Sequence, residues 1–224
     1  MKVLRLFFVC AILCGAAPVT ALAADFYAGV KGGLGLSGFW GAQAADSTGM
    51  TGTVRAGFCG GALVTAQFND FTAGQIEFLY AMKGKISNGA YGAMSVQKQW
   101  NMDYLEIPLL AKFTWPAKNA RPLVYTGPSL AFPLSSTYKL TTQRNDPGTP
   151  GGTTSSDSTY NVKSGTSAFD VGLAIGCGMD FVIETGIIIF DLRYTPGFIS
   201  WDRQAGQDKK NYCIAFMIGY AYKF

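Results

Sequence analysis

The sequence predicts an all-β protein: an eight-stranded antiparallel up-and-down barrel that crosses a membrane with its strands. Three observations predict it. The segment from Tyr212 to Phe224 alternates strictly, with Tyr212, Ile214, Phe216, Ile218, Tyr220, Tyr222 and Phe224 on one face and Cys213, Ala215, Met217, Gly219, Ala221 and Lys223 on the other. This is strand periodicity, and an apolar face ending in aromatics against a small or polar face is how a strand with lipid on one side and a narrow lumen on the other reads. Charged residues make up only 14% of the chain, beside 28 glycines and 14% aromatics, where a soluble β-sandwich carries a more charged surface. No stretch beyond the amino-terminal segment offers about 18 uninterrupted apolar residues, so helical spans are excluded.

The amino-terminal segment reads as an export signal. Lys2 and Arg5 precede an apolar run, Leu6 to Ala17, that is too short to span a bilayer, and Ala21-Leu22-Ala23 offers a small-x-small cleavage site, with Leu22-Ala23-Ala24 as the alternative. Residues 1–23 are therefore set apart as a signal peptide and residues 24–224 form one barrel domain; a buried amino-terminal helix is the competing reading. Neither Cys10 nor Cys14 follows the small residue that a lipoprotein site needs. Loss of the two charges Lys2 and Arg5 takes the formal charge from +4 to +2. So small an excess implies no nucleic-acid partner.

Eight strands follow in order. The first, Phe26 to about Leu36, sets Phe26, Ala28, Val30, Leu34 and Leu36 against Tyr27, Lys31 and three glycines. The second, Val54 to Phe68, turns Val54, Ala56, Phe58, Ala62, Val64, Ala66 and Phe68 outward and Arg55, Thr65 and Gln67 inward. After a tight turn at Asn69-Asp70, the third sets Ile76, Phe78, Tyr80 and Met82 against Gln75, Glu77 and Lys83. The fourth, about Trp100 to Trp115, sets Leu105, Ile107, Leu109, Phe113 and Trp115 against Glu106 and Lys112, and Pro108 within it suggests a bulge or an edge position. The fifth, Leu123 to Leu134, is interrupted by Pro128 and Pro133, and its facing is unclear. The sixth alternates Phe169, Val171, Leu173, Ile175, Cys177, Met179 and Phe181 with Asp170, Gly172, Ala174, Gly176, Gly178 and Asp180. The seventh sets Ile188, Phe190, Leu192 and Tyr194 against Asp191 and Arg193, and the eighth is the terminal segment.

The connections alternate in length. Asn69-Asp70, Pro116 to Pro122 and Ile183 to Gly186 are short, whereas 38–52, 86–98, 136–166 and 199–210 are long and polar. Outer-membrane barrels have short periplasmic turns and longer extracellular loops. An even strand number then puts both termini in the periplasm of a bacterial envelope and the long connections outside, with 136–166 expected to be exposed and mobile.

A membrane barrel is an inside-out protein, with its polar residues in the lumen. Eight strands leave an interior that side chains fill. Lys31, Arg55, Glu77, Glu106, Lys112, Asp170, Asp191 and Arg193 point there, and buried charges must be paired and hydrogen-bonded, so a mixed ionic plug is expected in place of an open pore. For Glu106 the expected partners are Arg55, Lys31 or Arg193.

The chain lacks histidine, which removes Ser-His chemistry. Glu77 and Glu106 form a carboxylate pair that could do acid–base work, but neutralisation by Arg55, Lys112 or Arg193 is the plainer reading. Metal and cofactor sites are not expected: Cys59, Cys177 and Cys213 are dispersed along strands as packing residues, and Gly33-Leu34-Gly35-Leu36-Ser37-Gly38 fits GxGxxG without the helix that a dinucleotide site requires. Phe39, Trp40, Trp100, Trp115, Phe198 and Trp201 fall near strand ends, as an interfacial girdle does; ligand stacking by the long loops is the alternative, weightier for Trp40 and Trp201 than for Trp115.

The fourth-strand segment Tyr104-Leu105-Glu106-Ile107-Pro108-Leu109-Leu110-Ala111-Lys112-Phe113 resembles the hallmark of the PorT-like outer-membrane β-barrel family, among the OmpA/OmpX-like small barrels. Tyr125-Thr126-Gly127-Pro128, Phe169-Asp170-Val171-Gly172-Leu173, and Arg193-Tyr194 with Gly197 support the resemblance across nearly the whole mature chain. The resemblance implies an outer-membrane eight-stranded barrel and, by the founding type, a link to protein secretion. Tyr220, Tyr222 and Phe224 resemble the terminal signal by which the barrel-assembly machinery recognises its substrates. Three function classes follow: a non-enzymatic monomer in outer-membrane lipid that supports the envelope or contacts a surface ligand through its outer loops, an accessory component of a secretion machine, or a narrow channel.

Overall fold

A computed structural model describes residues 25–41, 50–145, 153–203 and 208–224 of the chain. The expected signal peptide, 1–23, lies outside the described residues. Among the described residues there are nine strands: β1 (Asp25–Trp40), β2 (Met50–Gln67), β3 (Thr72–Tyr91), β4 (Met94–Thr114), β5 (Ala120–Asn145), β6 (Thr153–Asn161), β7 (Asp170–Ile183), β8 (Gly186–Pro196) and β9 (Lys210–Lys223). Eight of them close into an antiparallel ring. β1 pairs with β2 and β9, β4 pairs with β3 and β5, and β7 joins β5 to β8, while β6 stands outside the ring as a partner of β5 alone. Closure answers the demand of lipid, where an open sheet edge would leave backbone groups without partners.

Alternation sorts the side chains. Val30, Leu34, Phe58, Phe78, Leu109, Phe113, Ile175, Leu192 and Phe216 are exposed on the outer wall, while their sequence neighbours Lys31, Cys59, Glu77, Lys112, Ala174, Asp191 and Ala215 are buried in the lumen. The lumen is not polar throughout. Tyr27, Leu63, Ile187, Ile189 and Ala221 form an apolar plug at the short-turn end, and Met102, Tyr104, Ala131 and Trp201 form another towards the long-loop end. At the short-turn end the two terminal strands are tied by an ion pair between Lys223 Nζ and Asp25 Oδ2 at 2.6 Å.

Two connections, the length of the fifth strand and Pro108 differ from expectation. The stretch 86–98 is not a loop: β3 and β4 stay paired as far as Tyr91 and Met94, leaving a two-residue turn at Gly92-Ala93 with Gly92 at φ +59°. Glycine takes that positive φ without steric cost, as tight hairpin turns require. Within 136–166, Thr137–Asn145 pairs with Thr153–Asn161, so most of the expected mobile loop is a hairpin; its threonines suit extended backbone. The fifth strand, the poorest by sequence, is the longest at 26 residues. The β4 ladder passes from Pro108–Ser129 to Ala111–Thr126 in unbroken register and omits Pro128, whereas Pro133 adjoins the register shift between Asp103 and Tyr104, where pairing is already irregular. Pro108 occupies neither an edge nor a bulge. It lies inside the closed ring, where the β3 ladder passes from Ile76–Leu109 to Leu79–Glu106 in unbroken register and omits the proline.

A second irregularity, between Val54 and Cys59, shifts the β2–β3 register. Opposite it, Gly84 has φ +148°, and a Cβ there would meet the Trp100 carbonyl oxygen at 1.9 Å. Ser37, on the inner face of β1, accepts the Gly84 N–H at 3.0 Å, and its hydroxyl lies 3.2 Å from the carbonyls of both Arg55 and Gly84. One lumen hydroxyl thus satisfies backbone that the distorted ladder leaves unpaired.

Candidate functional site

The centre of the lumen is a cluster of charges from three strands. Lys31 of β1 donates from Nζ to Glu77 Oε1 of β3 at 2.7 Å and also to Asp191 of β8. Arg193, two residues further along β8 and therefore on the same face, grips Glu77 with both ends of its guanidinium, Nη1 to Oε2 at 2.7 Å and Nη2 to Oε1 at 2.9 Å. Its Nη2 reaches Asp191 at 3.3 Å, and its Nε donates to the Tyr125 hydroxyl of β5 at 2.9 Å, which in turn donates to Asp191. The Gln75 amide also donates to Glu77 and accepts the Thr65 hydroxyl at 2.8 Å. Two cations face two anions, and every member is buried. Bidentate guanidinium–carboxylate geometry is the strong form of such a contact.

Two smaller pairs lie beside this core. Glu106 pairs with Lys83 of β3, and Lys112 of β4 pairs with Asp180 of β7 at 3.2 Å. The geometry corrects three expectations from sequence. Glu106 takes Lys83, not Arg55, Lys31 or Arg193: the register pairs Glu106 with Leu79, and Lys83, two inward positions further along β3, reaches the carboxylate along the inner face. Arg55 instead donates from Nη1 to the Lys83 carbonyl at 2.9 Å, bracing the distorted β2–β3 segment. Asp170 instead accepts the Ile199 N–H at 3.0 Å and anchors the connection that follows β8. Lys31, Glu77, Asp191 and Arg193 come together, and Lys112 finds a partner of its own.

Sequence reasoning left Lys83, Asp180 and Tyr125 out of the candidate set. The first two stand on the inward parity of strands whose facing was legible, so counting every inward charge would have found them. Tyr125 was hidden by the prolines of β5, which obscured that strand's parity. Among the described residues, no three His, Cys, Asp or Glu side chains are grouped to hold a metal ion. Glu77 and Glu106, the carboxylates with acid–base potential, are both buried and both held by cations.

The long-loop mouth is closed by aromatic rings. Trp201 is only 4% exposed and packs between Phe39, with centroids 5.1 Å apart, and Trp100, at 5.0 Å. Trp100 continues to Tyr138 at 4.5 Å, and Tyr138 to Tyr160 of β6 at 6.1 Å. Beneath them the buried Asn211 side chain donates to the Tyr104 hydroxyl at 2.9 Å. Phe39, Trp100 and Trp201 therefore depart from the girdle reading, because their strands and loop turn them towards the barrel axis. Trp115 stands on the outer wall at the short-turn end, 53% exposed. Tyr220, Tyr222 and Phe224 share the outer face of the last strand, with Phe224 edge-on to Tyr222 and its N–H bonded to the Phe26 carbonyl at 2.9 Å.

The chain is similar to several solved outer-membrane barrels. It is 16% identical to OprG of Pseudomonas aeruginosa, covering 90% of this chain and 96% of that one with a TM-score of 0.47. It is 15% identical to Neisserial surface protein A, covering 89% and 97% with a TM-score of 0.46. For the outer membrane protein W of E. coli the identity is 14%, the coverage 90% and 98%, and the TM-score 0.42. No curated protein matches the chain. The family described as outer membrane protein beta-barrel domain matches residues 21–203. A closed antiparallel ring with an apolar outer wall and a match over that length lead to one conclusion: the chain belongs to the outer membrane protein β-barrel domain family.

Proposed function

We propose that this integral outer-membrane barrel is non-enzymatic and works as a sealed support that holds a polar β-platform outside the cell for contact with a surface partner. In this reading both termini lie in the periplasm and the long-loop end faces outward. One observation carries it: the charge-neutral cluster of Lys31, Glu77, Asp191 and Arg193, the apolar plugs and an aromatic cap occupy the lumen, while β3, β4, β5 and β6 continue past the apolar belt as a hairpin-built sheet. Long hairpins are costly to order. A barrel that served only to sit in lipid would not need them.

The test has two arms. Purified barrel in planar bilayers should show no steady conductance, and steady single-channel steps would favour a channel. Replacing Leu140–Ser158 by a two-residue Asn-Gly turn should leave a heat-modifiable barrel in the membrane but alter adhesion or envelope resistance of the cells. Unchanged phenotypes would overturn the surface role. The PorT-like resemblance of Tyr104–Phe113 suggests an accessory role in secretion, and loss of secreted proteins on gene disruption would favour that role over the one proposed.

A further inference from the structure

The outer wall changes chemistry along one line. On β4 the outward positions Leu109, Ile107 and Leu105 belong to the apolar belt, and the next ones are Asp103, Asn101, Gln99, Gln97 and Ser95. On β5 the outward Leu130, Phe132 and Leu134 give way, past the register shift, to Thr137, Thr141 and Gln143. Pairing places Asn88 of β3, Gln97 of β4 and Thr141 of β5 in one row. Gln97 donates to Asn88 Oδ1 at 2.9 Å, and Gln99 donates to Asn101 Oδ1 at 2.7 Å. Between these strands lies a groove of about 220 Å³ lined by Asn88, Ser95, Gln97, Thr141 and Gln143 with Gly89 and Val96.

This face is polar but almost uncharged. Past the belt its charges are Asp103, at the line itself, and Lys139 and Asp157, which neutralise each other at 2.9 Å. Lys85, Lys98 and Arg144 stand on the opposite parity, the side on which Trp100 turns to Trp201. The chemistry selects among occupants. A phosphate-bearing group calls for several Arg or Lys, and a protein interface calls for clustered aromatic or apolar anchors; the face offers one lysine, Lys139, already paired with Asp157, and one large apolar side chain, Ile86. Side-chain amides set a donor beside an acceptor, and hydroxyls do both, which matches the adjacent hydroxyls of a sugar. The face also rises directly from the lipid-facing belt, so a molecule whose acyl chains lie against Leu105 and Leu130 stands with its head group against Gln97 and Thr141.

From this juxtaposition we infer that the outward face of the β3–β4–β5–β6 extension binds uncharged sugar units in the head groups of membrane glycolipids. The inference rests on the outward orientation proposed above for its biological setting, but not on the identity of any surface partner. Barrel carrying a photoreactive benzophenone side chain at Ser155, on the outward parity beside Gln143, or at Ser156, on the opposite parity, is reconstituted in phosphatidylcholine vesicles with or without a neutral diglucosyl diacylglycerol. Irradiation should crosslink the glycolipid from position 155 and not from 156. The triple variant Asn88→Ala/Gln97→Ala/Gln143→Ala, still folded by heat-modifiability, should retain about tenfold less glycolipid through detergent washing, as the loss of several hydrogen bonds implies. Equal crosslinking from both positions, unchanged retention by the triple variant, or full competition by soluble maltoheptaose, which would indicate a free glycan, would each overturn the inference. Labelling of Asn145→Cys on intact cells by an impermeant maleimide reads orientation separately. An unlabelled Asn145→Cys would sink the surface role while leaving the vesicle result standing.

Discussion

Replacing Glu77 by glutamine tests whether the lumen plug holds the barrel together. Glu77 is wholly buried and neutralises two cations at once, through Lys31 at 2.7 Å and through both ends of the Arg193 guanidinium at 2.7 and 2.9 Å. Glutamine keeps the shape but removes the charge, leaving Asp191 as the single anion facing Lys31 and Arg193. Breaking a buried pair in this way costs about 3–5 kcal/mol, because an uncompensated charge stays out of water. Substituting Lys31→Met as well removes the surplus cation and restores a neutral Arg193–Asp191 pair. The double variant should therefore lose about 1–3 kcal/mol less than the two single losses added together. Urea unfolding in detergent micelles, followed by tryptophan fluorescence and by the gel shift of the folded barrel, measures all four members of the cycle. A Glu77→Gln loss below about 1 kcal/mol, or strictly additive losses, would refute the claim that these charges act as one network.

The remaining predictions concern separate parts of the molecule. Glu106→Gln should destabilise the fold by about 3 kcal/mol without abolishing membrane insertion, and Lys83→Met, not Arg55→Met, should recover part of that loss in the same unfolding assay. Phe224→Ala combined with Tyr220→Ala should lower the amount of barrel in the outer membrane while synthesis is unchanged, read by pulse-chase fractionation; normal membrane levels would count against an assembly signal in the last strand. In the β5–β6 hairpin, hydrogen bonds from Lys139 and then Thr141 hold the exposed Asp157 carboxyl below its usual pKa. A depressed folded-state pKa contributes stability that is present above the ordinary carboxylate value and is lost as pH falls through the depressed one. Hydrogen-exchange protection at Thr153–Asn161, with the intrinsic rate at each pH divided out, should thus fall on acidification, and Asp157→Asn should remove that pH dependence while leaving the barrel amides unaffected.

Alternation along the chain was enough to read the class of the fold and the facing of most strands. Lipid on one side and a narrow lumen on the other impose a period of two that survives without any knowledge of neighbours, so Ile214–Phe216–Ile218 against Cys213–Ala215–Met217 could be read directly. The same alternation placed Lys31, Glu77, Asp191 and Arg193 inside. Tertiary structure alone decided which of them touch. Partners come from strands far apart in the chain, and a register differing by a residue or two exchanges one partner for another, which is why Glu106 meets Lys83 and Arg55 meets a carbonyl. Polar stretches were the least legible. The 86–98 and 136–166 segments carry no apolar face to show a period, yet backbone pairing extends β3 to Tyr91 and adds β6, because ladder hydrogen bonds do not depend on side-chain polarity. Trp100 shares the inward parity of Glu106, so alternation already pointed it to the axis, but Trp201 was turned over the mouth by the path of its loop, which is not written in local sequence.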